Sequence, residues 1–151
     1  MSASLVQVAD LQARPLDVAG LEALLRAVLA AEGRGPVELS LSLVDDAAMA
    51  ELHETHMGEP GPTDVLAFPL EEGPTPPDQL PLLGEVVVCT DVAAREASER
   101  ALPFPEEVAR YAVHGLLHLL GYDDHEEPER TRMHARQEEL LRALWSPPAA
   151  L

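Results

Sequence analysis

Apolar and polar residues along the chain alternate with two different periods, which predicts a mixture of strands and helices. From Val37 to Val44 apolar and polar residues alternate one by one, as expected for a half-buried strand. From Val18 to Leu29 the apolar residues instead follow the 3.6-residue period of a helix. Asp17 is a suitable N-cap for this helix, and Gly33 is suited to end it.

The same criteria predict the remaining elements. Further strands are expected at 5–8, 65–68 and 83–90, and further helices at about 46–57, 91–100, 105–120 and 129–144. Asp91 is the predicted N-cap of the second of these helices. The Pro-rich and acidic residues 70–82 are expected to form a loop, and 146–151 a frayed tail. Strands interspersed with helices predict a mixed α/β or α+β layer structure.

Composition predicts a compact protein without a membrane segment. The chain has 151 residues, of which 46% are hydrophobic, so we expect one domain over 1–151 with a substantial core. No apolar run approaches the roughly 20 residues of a membrane span, and the N-terminus does not resemble a signal peptide. We therefore expect a cytoplasmic protein. The lone Cys89 is expected to be an inert core residue.

Three histidines between residues 114 and 125 predict a metal site. His114 and His118 are four residues apart in a helical pattern, so their side chains project from one face. Gly121 can end the helix, and a turn can then bring His125 back toward the same point. Imidazole suits zinc, and three protein ligands leave a fourth position for water, which indicates catalysis. One zinc per chain would lower the pKa of that water and favour hydrolysis.

The net charge constrains the range of substrates. Twenty-seven acidic residues against ten arginines give a formal charge of −17, which repels a polyanion at long range. Any contact with nucleic acid must therefore come from local groups of arginines, which are Arg95, Arg100 and Arg110 before the histidines and Arg130, Arg132, Arg136 and Arg142 after them. Arg110, one turn before His114, is the best candidate near the predicted site, although it also suits a solvated helix face.

Three segments of the chain match known sequence motifs. Residues 114–125 resemble the zinc motif H-G-x-L-H-L-x-G-Y-D-H, but they contain one additional Asp before the last histidine. Residues 62–69, PTDVLAFP, resemble P-T-D-V-L-S-F-P, and residues 83–88, LGEVVV, resemble L-G-D-I-V-I. With these motifs in this order, the chain resembles the YbeY-type bacterial endoribonucleases, which are also described as ribosomal RNA maturation factors.

The resemblance implies both a fold and a function. The implied fold is α+β, with a small, mostly four-stranded mixed sheet packed against helices and a metal-binding helix at its centre. The implied activity is zinc-dependent, single-strand-specific cleavage of RNA, not DNA, in small-subunit ribosomal RNA 3′-end maturation and ribosome quality control. His114, His118 and His125 would be the catalytic zinc ligands. Ribosomal RNA, the ribosome and its assembly factors are the implied partners.

Two departures from the family pattern leave alternatives open. The additional Asp puts Asp124 in the place of the family's third ligand, so that either Asp124 or His125 can complete the site, and the ability of the turn to form a bulge favours His125. Met57 stands where the family has an arginine, and it cannot bind phosphate as an arginine does. A metal-dependent hydrolase of another substrate, such as a metzincin-like peptidase, is one alternative function. A noncatalytic assembly factor with structural zinc is another.

A peptidase of the HExxH type would need a glutamate immediately after the first histidine, to take the proton from water. Here that residue is Gly115, which cannot transfer a proton. For RNA, the sequence leaves open whether water or the substrate's 2′-hydroxyl attacks the phosphate.

Overall fold

The sheet has four strands and is mixed, as predicted. A computed structural model describes residues 4–70 and 74–147. The strands are β1 (Leu5–Asp10), β2 (Glu38–Val44), β3 (Val65–Pro69) and β4 (Leu82–Cys89). Their order in the sheet is β1-β2-β4-β3; β1, β2 and β4 are parallel, and β3 runs antiparallel to β4. The α+β architecture is confirmed, and β1 lies at an edge.

Five helices accompany the sheet, close to the predicted positions. They are α1 (Val18–Ala31), α2 (Asp46–Met57), α3 (Thr90–Arg100), α4 (Phe104–Leu119) and α5 (Glu129–Leu144). The side chains of Asp17 and Asp45 accept hydrogen bonds from backbone N–H groups in the first turns of α1 and α2, so both act as N-caps. Most of the predicted tail lies outside the described residues.

The predicted N-cap of α3 was wrong. Helix α3 begins directly after β4, with Cys89 in the N-cap position and Asp91 inside the first turn. The carboxylate of Asp91 instead accepts a hydrogen bond from the backbone N–H of Asp46 and forms an ion pair with Arg14. Asp91 therefore joins α3 to other parts of the chain.

Helix α4 lies against one face of the sheet and contacts β3, β4, α1, α3 and α5. Its buried face includes small residues, Ala109, Ala112 and Gly115, which allow close approach to neighbouring elements. On the sheet, Leu39, Leu41 and Leu43 point into this same core, while the serines between them are only half-buried. The central position of α4 holds its C-terminal half rigidly.

A smaller core covers part of the opposite face of the sheet. Helix α2 contributes Met49, which packs with Val44, Leu66, Val87 and Cys89. Burial raises the pKa of the Cys89 thiol to about 11, so it is protonated at neutral pH, as expected for an inert core residue. In residues 4–70 and 74–147, no helix has both the length and the apolar character needed to cross a membrane.

Candidate metal centre

The last two turns of α4 present His114 and His118 side by side. They are one turn apart on the helix, and their ring centroids lie 4.8 Å from each other. Their side chains are 27% and 30% exposed, so both rings are held by packing but remain accessible. Helix α4 therefore presents two accessible imidazoles on the same face.

The turn after α4 brings a carboxylate to these two imidazoles. Gly121 has a φ of +103°, which reverses the chain at the end of the helix. The hydroxyl of Tyr122 donates to Glu32 Oε1 at 2.6 Å, which ties the turn to the end of α1. Asp124 Oδ2 then lies 3.4 Å from Nε2 of His114 and 3.4 Å from Nε2 of His118. These ligand atoms all lie within 4.8 Å of one another.

The structure does not bring His125 to the other two histidines. Its side chain is 85% exposed, and its backbone N–H donates to Asp123 Oδ1 at 3.0 Å. His125 instead forms a second, more exposed group with Asp123 and Asp124. Among the described residues, Asp124 rather than His125 therefore lies beside His114 and His118, and the choice of His125 as a metal ligand stays a prediction.

Arg130 holds the backbone of this turn. Its Nε donates to the carbonyl oxygen of Asp124 and its second terminal nitrogen donates to that of His125, both at 3.1 Å. Arg130 also forms an ion pair with Glu127. These contacts fix the backbone from which Asp124 reaches the histidines.

Two cavities adjoin the histidines. One has a volume of about 250 Å³, and its polar lining consists of Asp64, Arg100, Arg110, Tyr111, His114, Asp124, Arg130, His134 and Gln137. The other has a volume of about 360 Å³ and lies between the end of α4 and β3, lined by Asp64, Val65, Ala67, His114, Gly115, His118 and Asp124. Asp64, His114 and Asp124 line both cavities.

The guanidinium of Arg110 is engaged by carboxylates. It donates to Glu107 Oε1 at 2.7 Å, to Glu138 Oε2 at 2.9 Å and to Glu106 at 3.5 Å, and its side chain is only 12% exposed. The hydrogen bond to Glu138 raises the pKa of Arg110 despite burial. The predicted substrate-binding residue therefore holds α4 and α5 together and neutralises the fully buried Glu107.

Sequence reasoning missed Gln137, and it named Arg100 only as one of several arginines that could contact nucleic acid. Gln137 Oε1 lies 2.7 Å from His114 Nδ1, although the two residues are 23 positions apart. Arg100 lines the cavity from the end of α3 and pairs with Glu107 at 3.0 Å. No short spacing connects either residue with the histidine motif, so only the tertiary fold could reveal them.

Met57, which stands where the resemblance expected an arginine, lies at the end of α2 and is 58% exposed. Neither of the two cavities is lined by it. The positive charge that borders the cavity of about 250 Å³ comes instead from Arg100, Arg110 and Arg130, which belong to α3, α4 and α5.

Comparison with known proteins gives a consistent assignment. The family model described as Endoribonuclease YbeY matches residues 8–145. An endoribonuclease YbeY of Thermobifida fusca is 43% identical over 141 residues, covering 90% of this chain and 91% of its own. One of Moorella thermoacetica is 46% identical over 128 residues, covering 80% and 82%.

A solved structure agrees with these matches. The solution structure of a Thermotoga maritima protein has a TM-score of 0.66 and 27% identity, covering 93% of this chain and 89% of that one. The family model spans nearly all of the described elements, and the relatives are similar over most of both chains. The chain therefore belongs to the endoribonuclease YbeY family.

Proposed function

We propose that this protein is a zinc-dependent, single-strand-specific endoribonuclease. The observation that carries the proposal is the group formed by His114, His118 and Asp124 beside an arginine-lined cavity, in a chain of the endoribonuclease YbeY family. The biological role would be small-subunit ribosomal RNA 3′-end maturation and ribosome quality control in the cytoplasm, with ribosomal RNA, the ribosome and assembly factors as partners.

The donor set and its spacing fit zinc. Two ligand atoms of a tetrahedral zinc centre, each about 2.0–2.1 Å from the ion, lie about 3.3–3.4 Å apart. The two distances from Asp124 Oδ2 to the histidine nitrogens are both 3.4 Å. We therefore propose His114, His118 and Asp124 as the ligands, with His125 outside the site. A zinc ion bound there would act as a Lewis acid that polarises a phosphoryl oxygen.

Arg100 is the cation proposed to bind the substrate phosphate. Its side chain is 51% exposed at the cavity and, among the residues that the structure describes, pairs with one carboxylate, Glu107, whereas Arg110 is enclosed by acids. An exposed guanidinium offers paired donors that suit phosphate oxygens. Local binding of this kind compensates for the repulsion of RNA by the net charge of −17.

Asp64 is the proposed proton acceptor. It lines both cavities that border His114, and it is the remaining carboxylate of that lining if Asp124 is a ligand. The backbone N–H of Val65 donates to its Oδ1 at 2.8 Å, which fixes the carboxylate at the start of β3. A fixed carboxylate within reach of the scissile phosphate can take a proton from the attacking hydroxyl.

A peptidase activity fits the site less well. The glutamate of an HExxH enzyme would occupy position 115, where even a methyl group would lie 2.5 Å from Val86 Cγ1. The close packing of α4 on β4 therefore leaves no room for that side chain. A structural zinc fits less well too, because three ligands beside a cavity leave a coordination position open.

The test compares RNA and protein substrates. Zinc-loaded protein is incubated with single-stranded RNA, with the same sequence in a duplex, with structured ribosomal RNA and with casein. Asp64→Asn and His114→Ala are assayed in parallel, and His56→Ala is the control, since His56 is an exposed histidine that lies outside the metal group and lines neither cavity.

The proposal expects cleavage of single-stranded RNA and of unpaired segments in ribosomal RNA. Cleavage should disappear in His114→Ala, decrease in Asp64→Asn with zinc retained, and persist in His56→Ala. Cleavage of casein without cleavage of RNA would overturn the proposal. So would the absence of cleavage of either substrate by zinc-loaded protein, which would favour a noncatalytic assembly factor.

A further inference from the structure

A chain of polar contacts links the centre of α4 to His114 by way of α5. Arg110 donates to Glu138, Gln137 Nε2 donates to Glu138 Oε2 at 2.9 Å, and Gln137 Oε1 lies 2.7 Å from His114 Nδ1. Gln137 is only 5% exposed, and the side chain of Arg110 is 12% exposed. Gln137 and Arg110 are thus largely shielded from water, while the side chain of Glu138 between them is 29% exposed.

The donor and acceptor of every hydrogen bond between Arg110 and His114 follow from the chemistry of Arg110. A guanidinium has donors only, so Glu138 must accept from Arg110. Burial raises the pKa of Glu138, but the hydrogen bonds from Arg110 and Gln137, together with the positive charge of Arg110, outweigh burial and leave that pKa below the ordinary value. Glu138 is thus an ionised carboxylate at neutral pH, which can only accept.

An accepting Glu138 fixes the orientation of the Gln137 amide. The amide nitrogen must face Glu138, because the flipped amide would place its carbonyl oxygen against a carboxylate. The carbonyl oxygen is thereby directed at His114. Since a carbonyl accepts only, Nδ1 of His114 must carry the proton and donate it to Gln137.

We infer that Gln137, held by Glu138 and Arg110, is a positioning residue that fixes His114 in the tautomer with its lone pair on Nε2. That nitrogen is the one that lies 3.4 Å from Asp124 Oδ2, where the proposed metal would bind. Metal-bound histidines commonly have their other ring nitrogen held in this way. The functional role of this tautomer rests on the proposed metal centre, but the tautomer itself can be measured in metal-free protein.

His118 provides an internal reference. Gln137 contacts Nδ1 of His114, whereas within residues 4–70 and 74–147 no side chain hydrogen-bonds to Nδ1 of His118. A change of Gln137 should therefore act on one of the two histidines. A general loosening of the helix would affect both.

The test is nitrogen NMR of the imidazoles in metal-free protein at about pH 8, where an ordinary histidine is neutral. In the wild type, His114 should be predominantly protonated on Nδ1. In Gln137→Leu its signals should move toward those of the other tautomer, while the signals of His118 stay in place. Gln12→Leu is the matched control, because Gln12 is also hydrogen-bonded but contacts Asp10, Arg14 and Thr90.

A polarity-swapped variant separates hydrogen bonding from packing. In Gln137→Glu combined with Glu138→Gln, the carboxylate at position 137 faces His114. The amide at position 138 donates to that carboxylate and accepts from Arg110. This variant should restore the Nδ1-protonated tautomer. Zinc affinity should fall about tenfold to a hundredfold in Gln137→Leu and recover in the swapped variant.

An unchanged His114 tautomer in Gln137→Leu would overturn the inference, as would equal shifts of both histidines. These outcomes differ from a failure of the proposed function. A wild type that binds no zinc would contradict the metal centre, yet the tautomer of His114 in metal-free protein would still be measurable.

Discussion

At the scale of single residues, the least predictable feature is the identity of the third ligand. Spacing along α4 predicts that His114 and His118 lie together, because helix geometry is regular. A turn has no such regularity, and it could have presented either Asp124 or His125. Contacts with residues outside the turn place Asp124 beside the histidines: Arg130 of α5 donates to two carbonyls of the turn, and Tyr122 is bound to the distant Glu32.

The role of Arg100 can be tested against a matched arginine. Arg95 is 55% exposed and paired with Asp46, so it resembles Arg100 in exposure and pairing but does not line the cavity. Arg100→Gln should weaken binding of single-stranded RNA about tenfold or more, as expected for the loss of one charge-assisted contact. Arg95→Gln should leave binding unchanged.

The binding of RNA is measured with protein in which cleavage is prevented by His114→Ala, and thermal unfolding verifies that each variant is folded. Equal losses of affinity in both arginine variants would show that the cavity has no special role. No loss in Arg100→Gln would remove Arg100 from the proposed substrate contacts.

At the scale of helices and strands, the sequence predicted the type and approximate bounds of the elements because local periodicity largely determines them. It failed at the start of α3, where Asp91 is a good N-cap by composition. In the folded protein the carboxylate of Asp91 has Arg14 and the backbone of Asp46 as partners, neither of which is near in sequence. Tertiary contacts therefore override a local preference at that position.

The fit between α4 and the sheet gives a prediction at this scale. A methyl group at Gly115 would lie 2.5 Å from Val86 Cγ1 and 3.1 Å from Val65 Cγ2. Overpacking of a core costs about 1–3 kcal/mol, which exceeds the roughly 1 kcal/mol that alanine gains over glycine in a helix. Gly115→Ala should therefore lower the free energy of unfolding by about 1 kcal/mol.

A double-mutant cycle with Val86→Ala verifies the cause. Val86→Ala removes the clashing methyl groups, so the two substitutions together should cost at least about 1 kcal/mol less than the sum of their separate effects. Chemical denaturation of the four proteins gives the coupling. Additive effects would mean that Gly115 is not required for the approach of α4 to β4.

At the scale of the whole molecule, electrostatic repulsion between an acidic protein and RNA should change how RNA binding depends on salt. Proteins that bind many phosphates lose affinity steeply as salt is added. Here few arginines border the cavity, and the net charge of −17 repels RNA more strongly when salt is low. Both effects should flatten the dependence of binding on salt.

Affinity for single-stranded RNA should accordingly change less than about tenfold between about 50 mM and 200 mM salt. Titration of labelled RNA with metal-loaded protein at several salt concentrations measures this slope. A loss of about a thousandfold would imply six or more phosphate contacts and hence a second, extended RNA surface.

The fold as a whole was predicted better than the chemistry of the site. The α+β class and the central position of α4 followed from periodicity and family resemblance, and the structure confirms both. The contact of Gln137 with His114 was not predicted, and Asp124 was only one of two alternatives, because these residues reach His114 from α5 and from an irregular turn. Local patterns determine elements, whereas the ligand geometry depends on how distant elements pack.

Zinc titration calorimetry on metal-free wild type, Asp124→Ala and His125→Ala tests the central claim most directly. We predict one zinc per wild-type chain, nearly unchanged affinity in His125→Ala, and a loss of more than about a hundredfold in Asp124→Ala, since removal of a ligand costs more than removal of its hydrogen-bond partner. Tight binding in Asp124→Ala with loss of binding in His125→Ala would contradict the account and restore a site of three histidines.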